Sequence, residues 1–198
     1  MLNDKLKNFK IILASASPRR QTFFKDLNLD FEIQVKKIQE TYPENLVGKQ
    51  ITNYLAELKA SSFSGLNENE LLVTSDTIVW FNGQALGKPQ NFKEAKEILQ
   101  QLSGNMHEVI TSVSFTSNDF QKTVNDTTKV WFKNLSDEEI EYYIETYKPF
   151  DKAGSYGIQE WIGYIGVEKI EGCYFNVMGL PVRLVYKTLS EIGDMKFM

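Results

Sequence analysis

Residues 15–20, Ser-Ala-Ser-Pro-Arg-Arg, could bind a phosphate group. They follow the short apolar run 9–14, which is typical of a buried strand, and Ser17-Pro18 predicts the start of a helix. Free backbone N–H groups and the positive end of the helix dipole meet at such a point. Two guanidinium groups would add bidentate donors. The same residues also suit a capped helix with two solvated arginines, and the spacing does not decide. The P-loop pattern GxxxxGK[ST] is absent.

Asp76 lies in the polar stretch 74–77, Thr-Ser-Asp-Thr, between two apolar runs that look like strand. A carboxylate in such surroundings is costly to bury unless it is paired or bound to a metal ion. An aspartate at a strand end that faces water is the alternative, but the apolar residues resume directly after it. We therefore favour a functional Asp76, which could position a divalent cation or deprotonate water.

Two further stretches are weaker candidates. Lys88 lies between Gly87 and Pro89 and could project into a cleft, although the tripeptide alone favours an exposed turn. Residues 151–159 contain two glycines among small residues, which suits either a structural turn or a ligand-binding loop. His107 and Cys173 are expected to have no chemical role, because neither has a partner of the right type nearby in sequence.

Composition and charge restrict the class of protein. The chain has 198 residues, 42% hydrophobic and 24% charged, which fits one globular domain over 1–198. A net charge of −4 argues against a nucleic-acid-binding surface. The apolar runs are too short to span a membrane, and the stretch after Lys10 is too short for a secretory signal, so we expect a cytoplasmic protein. One cysteine and one histidine exclude an intrachain disulfide and a Cys/His zinc site.

Both strands and helices are predicted to position these residues. Apolar periodicity predicts strands at 9–14, 31–35, 71–73, 78–81, 107–117 and 120–132. Helices are predicted at 18–27, 48–63, from Asn91, at 136–147 and from about Pro181, with loop and strand over 151–172. Asn82-Gly83 predicts a hairpin turn. Because helices and hairpins both separate the strands, we expect an α/β fold with a mixed, twisted sheet and flanking helices.

The motifs, taken together and in order, resemble those of the Maf family of nucleoside triphosphate pyrophosphatases. They are LASASPRRQ (13–21), SDT (75–77), LGKP (86–89), LSGNMHEV (102–109), DKAGSYGIQ (151–159) and NVMGLP (176–181). The resemblance covers most of the chain. It implies a fold related to that of the inosine triphosphate pyrophosphatases, elongated and two-lobed with a central cleft.

The resemblance also implies a reaction and a set of residues. Family members hydrolyse a nucleoside triphosphate to the monophosphate and pyrophosphate with a divalent cation, Mg²⁺ or Mn²⁺. By motif, Asp76 matches the proton acceptor, and the polar and cationic positions match Ser17, Arg19, Arg20, Lys59 and Lys88. Glu40 falls where the family has an acidic residue, so Glu40 and Asp76 are the predicted metal ligands. Taken alone, Lys59 and Glu40 look like ordinary helix-face and loop charges. A homodimer is also implied by the resemblance.

Three positions indicate a subgroup. Arg19, Thr77 and Gln159 resemble the subgroup that acts on dTTP and UTP. A glutamine amide offers one donor and one acceptor, which complement the O4 acceptor and N3–H donor of uracil or thymine. After Gln159, residues 160–163 depart from the small, glycine-containing stretch that the family often has.

Two other functions remain open. The chain could be a nucleotide-binding regulatory protein of cell division with little catalysis, although such a protein needs no water-activating carboxylate. The enzyme could also remove modified pyrimidine nucleotides, a house-cleaning role in which ordinary nucleotides are only convenient assay substrates.

Overall fold

The described part of the protein, residues 1–195 of a computed structural model, contains a mixed sheet flanked by helices. Its strands are β1 (Lys10–Leu13), β2 (Phe31–Ile33), β3 (Glu70–Phe81), β4 (Gln84–Leu86), β5 (Met106–Thr116), β6 (Gln121–Phe132) and β7 (Val167–Glu171). The strand order is β2-β1-β3-β5-β6-β7, and β4 pairs with β3. β1 is parallel to β2 and β3, whereas the β3–β4 and β6–β7 pairs are antiparallel, so the predicted mixed sheet is confirmed.

Helices connect the strands. They are α1 (Leu2–Leu6), α2 (Pro18–Asp26), α3 (Lys49–Ser61), α4 (Phe92–Leu102), α5 (Asp137–Tyr147), α6 (Trp161–Gly166), α7 (Tyr174–Val177) and α8 (Val182–Gly193). A single 3₁₀ turn covers Ala153–Ser155. None of the helices in residues 1–195 combines the length and the apolar character that crossing a membrane would require.

The chain divides into two compact units. Among the described residues, the first unit comprises 1–76, 111–126 and 179–195, and the second comprises 77–110 and 127–178. In the first unit, β1 lies between β2 and the start of β3, with Ile11 level with both Phe31 and Leu71. Both neighbours of β1 are strands and Ile11, Ile12 and Leu13 are buried, which explains why these three residues form a continuous apolar run. α1 packs against α8.

In the second unit, a turn and two helix caps form where short sequence motifs indicate them. Asn82 and Gly83 have positive φ angles of 48° and 78° and turn the chain from β3 into β4. Asn91 caps α4 by accepting the Glu94 N–H at 3.0 Å, and Ser136 opens α5 with a capping box. α4 packs against α5. The core of this unit consists of Val79, Ala95, Leu99, Leu102, Val109, Val130, Phe132, Ile140, Tyr143, Ile144, Tyr156, Ile158 and Ile162.

Several sequence predictions were incomplete. The runs 71–73 and 78–81 belong to one uninterrupted strand, β3, rather than two. Strand β2 ends at Ile33, two residues before the predicted end, and α3 ends at Ser61. The short helices α1, α6 and α7 were not predicted, because each has fewer than seven residues and too few turns to show a helical period.

Candidate active site

The start of helix α2 differs from the predicted hydroxyl cap. Ser17 occupies the N-cap position, but its side chain makes no capping hydrogen bond. Instead the Ser17 N–H donates to the Ser15 hydroxyl oxygen at 3.2 Å, and the Gln21 side-chain amide donates to the Ser15 carbonyl at 3.1 Å. Ser15 therefore organises the turn. The half-buried Ser17 hydroxyl makes no hydrogen bond within residues 1–195 and is available for a ligand.

Arg20 is fixed by two backbone carbonyl groups. Its Nε donates to the carbonyl of Gly179 at 2.8 Å, and its Nη1 donates to the carbonyl of Ser75 at 2.9 Å. Gly179 has a φ angle of 103°, which a residue with a side chain rarely adopts, so glycine is required where Arg20 is bound. This contact explains one residue of the motif at 176–181. It also holds the guanidinium beside the polar stretch of β3.

Lys59 joins this stretch from helix α3. Its Nζ donates to Asp76 Oδ1 at 2.7 Å and to the Ser75 carbonyl at 3.3 Å, and it lies 3.2 Å from Glu40 Oε2. Two cations, Lys59 and Arg20, therefore share the carbonyl oxygen of Ser75. Lys59 therefore contacts two carboxylates that differ in exposure: the side chain of Asp76 is 9% exposed and that of Glu40 is 48% exposed.

Asp76 lies inside β3 rather than at a strand end. Two residues earlier the Thr74 hydroxyl donates to the Ala56 carbonyl of α3 at 2.7 Å. Alternate side chains of a strand point to the same face, so Thr74 and Asp76 both face α3. Asp76 Oδ1 is bound by Lys59, and Oδ2 accepts no hydrogen bond from the described residues. One carboxylate oxygen is thus held by a cation while the other remains open to a ligand or to water.

The charges of the site offset one another. Burial lowers the pKa of Arg20, the neighbouring Arg19 lowers it further, and the carboxylates of Asp76 and Glu40 oppose the shift. A guanidinium remains protonated at any physiological pH, so the result is a poorly hydrated, permanent cation. Such a cation is well suited to bind phosphate oxygens.

The residues also fit a divalent cation that is shared with a phosphate. Among residues 1–195, no group of three or more His, Cys, Asp or Glu side chains is arranged to hold a metal ion. Mg²⁺ commonly uses only one or two carboxylates and takes its remaining ligands from substrate phosphates and water. Glu40 and Asp76, which contact the same ammonium group, provide two such carboxylates.

Arg19 and Thr77 are adjacent to this group in sequence. Arg19 is half-buried in the first turn of α2. Thr77 is the first residue of the second unit, and the pleat of β3 directs its side chain to the face opposite Asp76. The predicted roles of Arg19 and Thr77 in substrate binding stay predictions.

Lys88 and Gln159 belong to the second unit. Lys88 is exposed just after β4, and the preceding Gly87 carbonyl accepts the Gly154 N–H at 3.2 Å. This hydrogen bond connects the motifs at 86–89 and 151–159. Gln159 is half-buried, and its side-chain oxygen Oε1 is buried without a hydrogen-bond partner among residues 1–195. An unpaired buried acceptor is costly, which makes Gln159 a candidate for ligand binding.

His107 lies buried on β5, as a strand-face histidine is expected to. Its Nε2 is 2.7 Å from the hydroxyl oxygen of Tyr156, and its ring contacts the edge of Phe132. Burial lowers the pKa of His107 to about 4, so the ring is neutral at physiological pH.

Sequence reasoning missed the backbone groups of the site. The Ser75 and Gly179 carbonyls bind Arg20, and no side-chain pattern reveals a carbonyl acceptor. The positions of Ser75 beside Asp76 and of Gly179 within a recognised motif were the available signals.

Comparison with known proteins finds one matching family profile and several relatives of high sequence identity. The family profile described as Maf-like protein matches residues 10–192. A dTTP/UTP pyrophosphatase of Flavobacterium johnsoniae is 60% identical over 193 residues, covering 97% of this chain and all of that protein (100%). Proteins of the same name from Flavobacterium psychrophilum and Christiangramia forsetii are 59% and 54% identical. They cover 94% and 97% of this chain, and 96% and 98% of their own lengths are matched.

A solved structure shares the fold. The HAM1 protein from Coxiella burnetii matches 92% of this chain and 99% of its own chain with a TM-score of 0.51 and 16% sequence identity. At this identity the likeness concerns the fold alone, and it confirms the predicted fold class. The sequence matches extend over nearly the whole length, and this chain belongs to the Maf family.

Proposed function

We propose that this protein is a nucleoside triphosphate pyrophosphatase that hydrolyses dTTP and UTP to the monophosphate and pyrophosphate. Relatives up to 60% identical are named dTTP/UTP pyrophosphatase, which supports the substrates. The arrangement of Asp76 with Lys59, at 2.7 Å, beside the bound guanidinium of Arg20 is the observation that carries the proposal. It combines a water-activating carboxylate with fixed cations, which is what cleavage of a phosphoanhydride requires.

The phosphates bind at the start of α2 in this mechanism. Arg19, Arg20 and the Ser17 hydroxyl are the donors, and the positive end of the helix dipole favours the negative charge. Binding by several fixed donors orients the triphosphate so that the bond between the α-phosphorus and its bridging oxygen can be cleaved. Phosphoryl transfer depends mainly on such positioning and on electrostatic stabilisation.

Asp76 acts as the general base. Its Oδ2 takes a proton from a water molecule, the water oxygen forms a bond to the α-phosphorus, and the bond to the bridging oxygen breaks. The bond electrons leave with pyrophosphate, and the proton is later released to solvent. Lys59 holds Asp76 in place, and Lys59 with Lys88 neutralises charge on the departing pyrophosphate.

A divalent cation, Mg²⁺ or Mn²⁺, completes the proposal. Glu40 and Asp76 would hold it together with phosphate oxygens. When bound, the ion would supply charge neutralisation at the phosphates.

Gln159 and Thr77 are proposed to select the base. The Gln159 amide can accept from N3–H and donate to O4 of uracil or thymine, and the unpaired Oε1 supports the first of these contacts. Free nucleotides as substrates agree with the cytoplasmic location expected from the sequence. Modified pyrimidine triphosphates with the same Watson–Crick edge would satisfy Gln159 equally well.

The test is pyrophosphate release from a panel of triphosphates. It contains dTTP, UTP, their 5-substituted analogues, CTP, ATP and GTP, each with Mg²⁺ or Mn²⁺. Release from the uracil and thymine nucleotides alone is the expected result. Nucleotide binding without pyrophosphate release from any member would contradict the proposal and favour the regulatory alternative.

A further inference from the structure

The hydroxyl group of Tyr143 joins both ends of the turn that carries Gln159. Tyr143 lies on α5 and is fully buried. Its hydroxyl oxygen accepts the Gly157 N–H at 3.0 Å, and its hydroxyl hydrogen is donated to the Glu160 carboxylate. One phenol group therefore binds the residue two positions before Gln159 and the residue directly after it.

The segment 157–160 is itself a tight turn. The Glu160 N–H donates to the Gly157 carbonyl at 2.9 Å, which places Gln159 at the third position of the turn. The Glu160 carbonyl then accepts the Gly163 N–H at 2.8 Å at the start of α6. The Gln159 carbonyl accepts the Tyr164 hydroxyl at 2.7 Å. The backbone of Gln159 is thus held on both sides.

Charge fixes the direction of these hydrogen bonds. Lys152, only 8% exposed, lies 3.3 Å from Glu160 and 2.8 Å from Asp151. An ionised carboxylate can only accept, so the Tyr143 hydrogen must point toward Glu160 and an oxygen lone pair remains for Gly157. Burial and the hydrogen bond to Glu160 raise the pKa of Tyr143, so the hydroxyl stays protonated.

The close approach at Gly157 is a second sign of a fixed geometry. A Cβ atom at Gly157 would lie 2.8 Å from the Glu160 carboxyl carbon. The absence of a side chain lets the carboxylate lie against the turn while it reaches Tyr143.

We propose that Tyr143 is a positioning residue for base selection, because its hydroxyl fixes the turn that presents the Gln159 amide. The inference rests on the proposed function, in which Gln159 contacts the base. The Gln159 amide is carried at the end of a flexible side chain, so its oxygen meets N3–H in a defined geometry only if the backbone is held in place. Tyr143 contributes this restraint without touching the substrate.

The test compares kcat and KM for UTP and CTP in wild-type protein and in Tyr143→Phe. Cytosine carries an amino group at C4 and an acceptor at N3, so it reverses both contacts to Gln159. Phenylalanine keeps the ring that stacks on Tyr147, at 5.1 Å between centroids, and removes only the hydroxyl. We expect the UTP/CTP ratio of kcat/KM to fall by about tenfold, the scale of one lost hydrogen bond, through a higher KM for UTP. The kcat for CTP is expected to stay unchanged.

Tyr147→Phe is the matched control. It removes a hydroxyl one helical turn further along α5, with no hydrogen-bond partner among residues 1–195, and should leave the ratio as in the wild type. Gln159→Ala measures the full contribution of the amide. A wild-type enzyme that does not discriminate, or a Gln159→Ala variant that still does, would refute the base contact itself. A lower ratio in Gln159→Ala with an unchanged ratio in Tyr143→Phe would overturn the positioning role alone.

Glu160→Ala keeps the proposal testable if Tyr143→Phe does not fold, as judged by thermal unfolding. This variant removes the acceptor from the partly exposed end of the same bridge. We expect it to lower the UTP/CTP ratio in the same direction. Glu160→Gln retains an acceptor for the Tyr143 hydroxyl and should recover most of the ratio. Wild-type ratios in both Glu160 variants would contradict the inference.

Discussion

Replacing Lys59 by methionine tests whether the ammonium group holds Asp76 in place. Methionine keeps most of the apolar stem and removes the charge. Asp76 would then be left with a side chain only 9% exposed and no cationic partner at 2.7 Å. Removing one partner of a buried ion pair costs about 3–5 kcal/mol. We expect the free energy of unfolding to fall by about 3 kcal/mol, the lower end of that range, because the half-exposed Glu40 can be solvated.

A double-mutant cycle isolates the pair. With Asn at position 76 the buried side chain is neutral, so Lys59→Met should cost only about 1 kcal/mol, the value of one hydrogen bond. The coupling energy between Lys59 and Asp76 is therefore expected to be about 2 kcal/mol. Urea unfolding of the four proteins, compared at a common m-value, gives all the required free energies.

The control is a surface ion pair of the same type. Lys93 lies 3.8 Å from Glu97, and both side chains are mostly exposed, so Lys93→Met should cost less than about 0.5 kcal/mol. If Lys59→Met costs the same within about 0.5 kcal/mol with Asp or Asn at position 76, the ion pair does not hold Asp76. The proposed organisation of the site would then be wrong.

Further predictions concern the second unit and the metal ion. The pKa of His107, lowered to about 4 by burial, lies below its value of about 6.5 in the unfolded chain. The unfolded chain therefore takes up the proton first, and the free energy of unfolding falls as the pH decreases from about 6.5 to 4. Between pH 7.5 and 4.5, urea titrations should show that the wild type loses about 2.5 kcal/mol more of this free energy than His107→Gln. Gly154 has a φ angle of 70°, and a Cβ there would lie 2.5 Å from Val79 Cγ2. Gly154→Ala should thus cost about 2–4 kcal/mol, against about 1 kcal/mol for Gly83→Ala, whose φ is 78° but whose Cβ would meet nothing. Glu40→Gln should raise the Mg²⁺ concentration for half-maximal activity about tenfold or more; an unchanged Mg²⁺ titration would remove Glu40 as a ligand.

Local signals predicted the parts of the fold that depend on local chemistry. The Asn82-Gly83 turn and the helix starts at Asn91 and Ser136 were predicted correctly, because the groups that stabilise them lie within four residues of one another. Ser17 shows the limit of such reasoning. The sequence suits a hydroxyl cap there, but the hydroxyl of Ser15 accepts the Ser17 N–H and organises the turn instead.

Long-range contacts explain why β3 was predicted as two strands. The polar residues at 74–77 suggested an interruption, but Thr74 donates to Ala56 and Asp76 accepts from Lys59. These partners lie on α3, far away in the chain, and they satisfy polar groups that are costly to bury alone. The alternation of β3 cannot be recognised from the sequence alone, because polar side chains occupy the face that helix α3 covers.

The residues of the candidate site also fall into two groups: those that the local sequence reveals and those that only long-range contacts explain. Asp76 and the arginines were singled out from the residues themselves, whereas Lys59 and Glu40 came only from the family resemblance. The structure shows why: a helix-face lysine and a loop glutamate acquire meaning through their shared contact with Asp76 across the fold. Tyr143 was not singled out at all, because its hydroxyl acts on a turn more than ten residues away.

Single-turnover hydrolysis by Asp76→Asn, measured beside equilibrium nucleotide binding, is the most direct test of the central claim. Asparagine has nearly the same shape and cannot take a proton from water. A general base contributes about 10²–10⁴-fold to a rate, so we expect the rate of pyrophosphate release from UTP to fall by about 10³-fold or more while the Kd for UTP changes less than about threefold. Release at a rate within about tenfold of the wild type would contradict the assignment of Asp76 as the base that activates water.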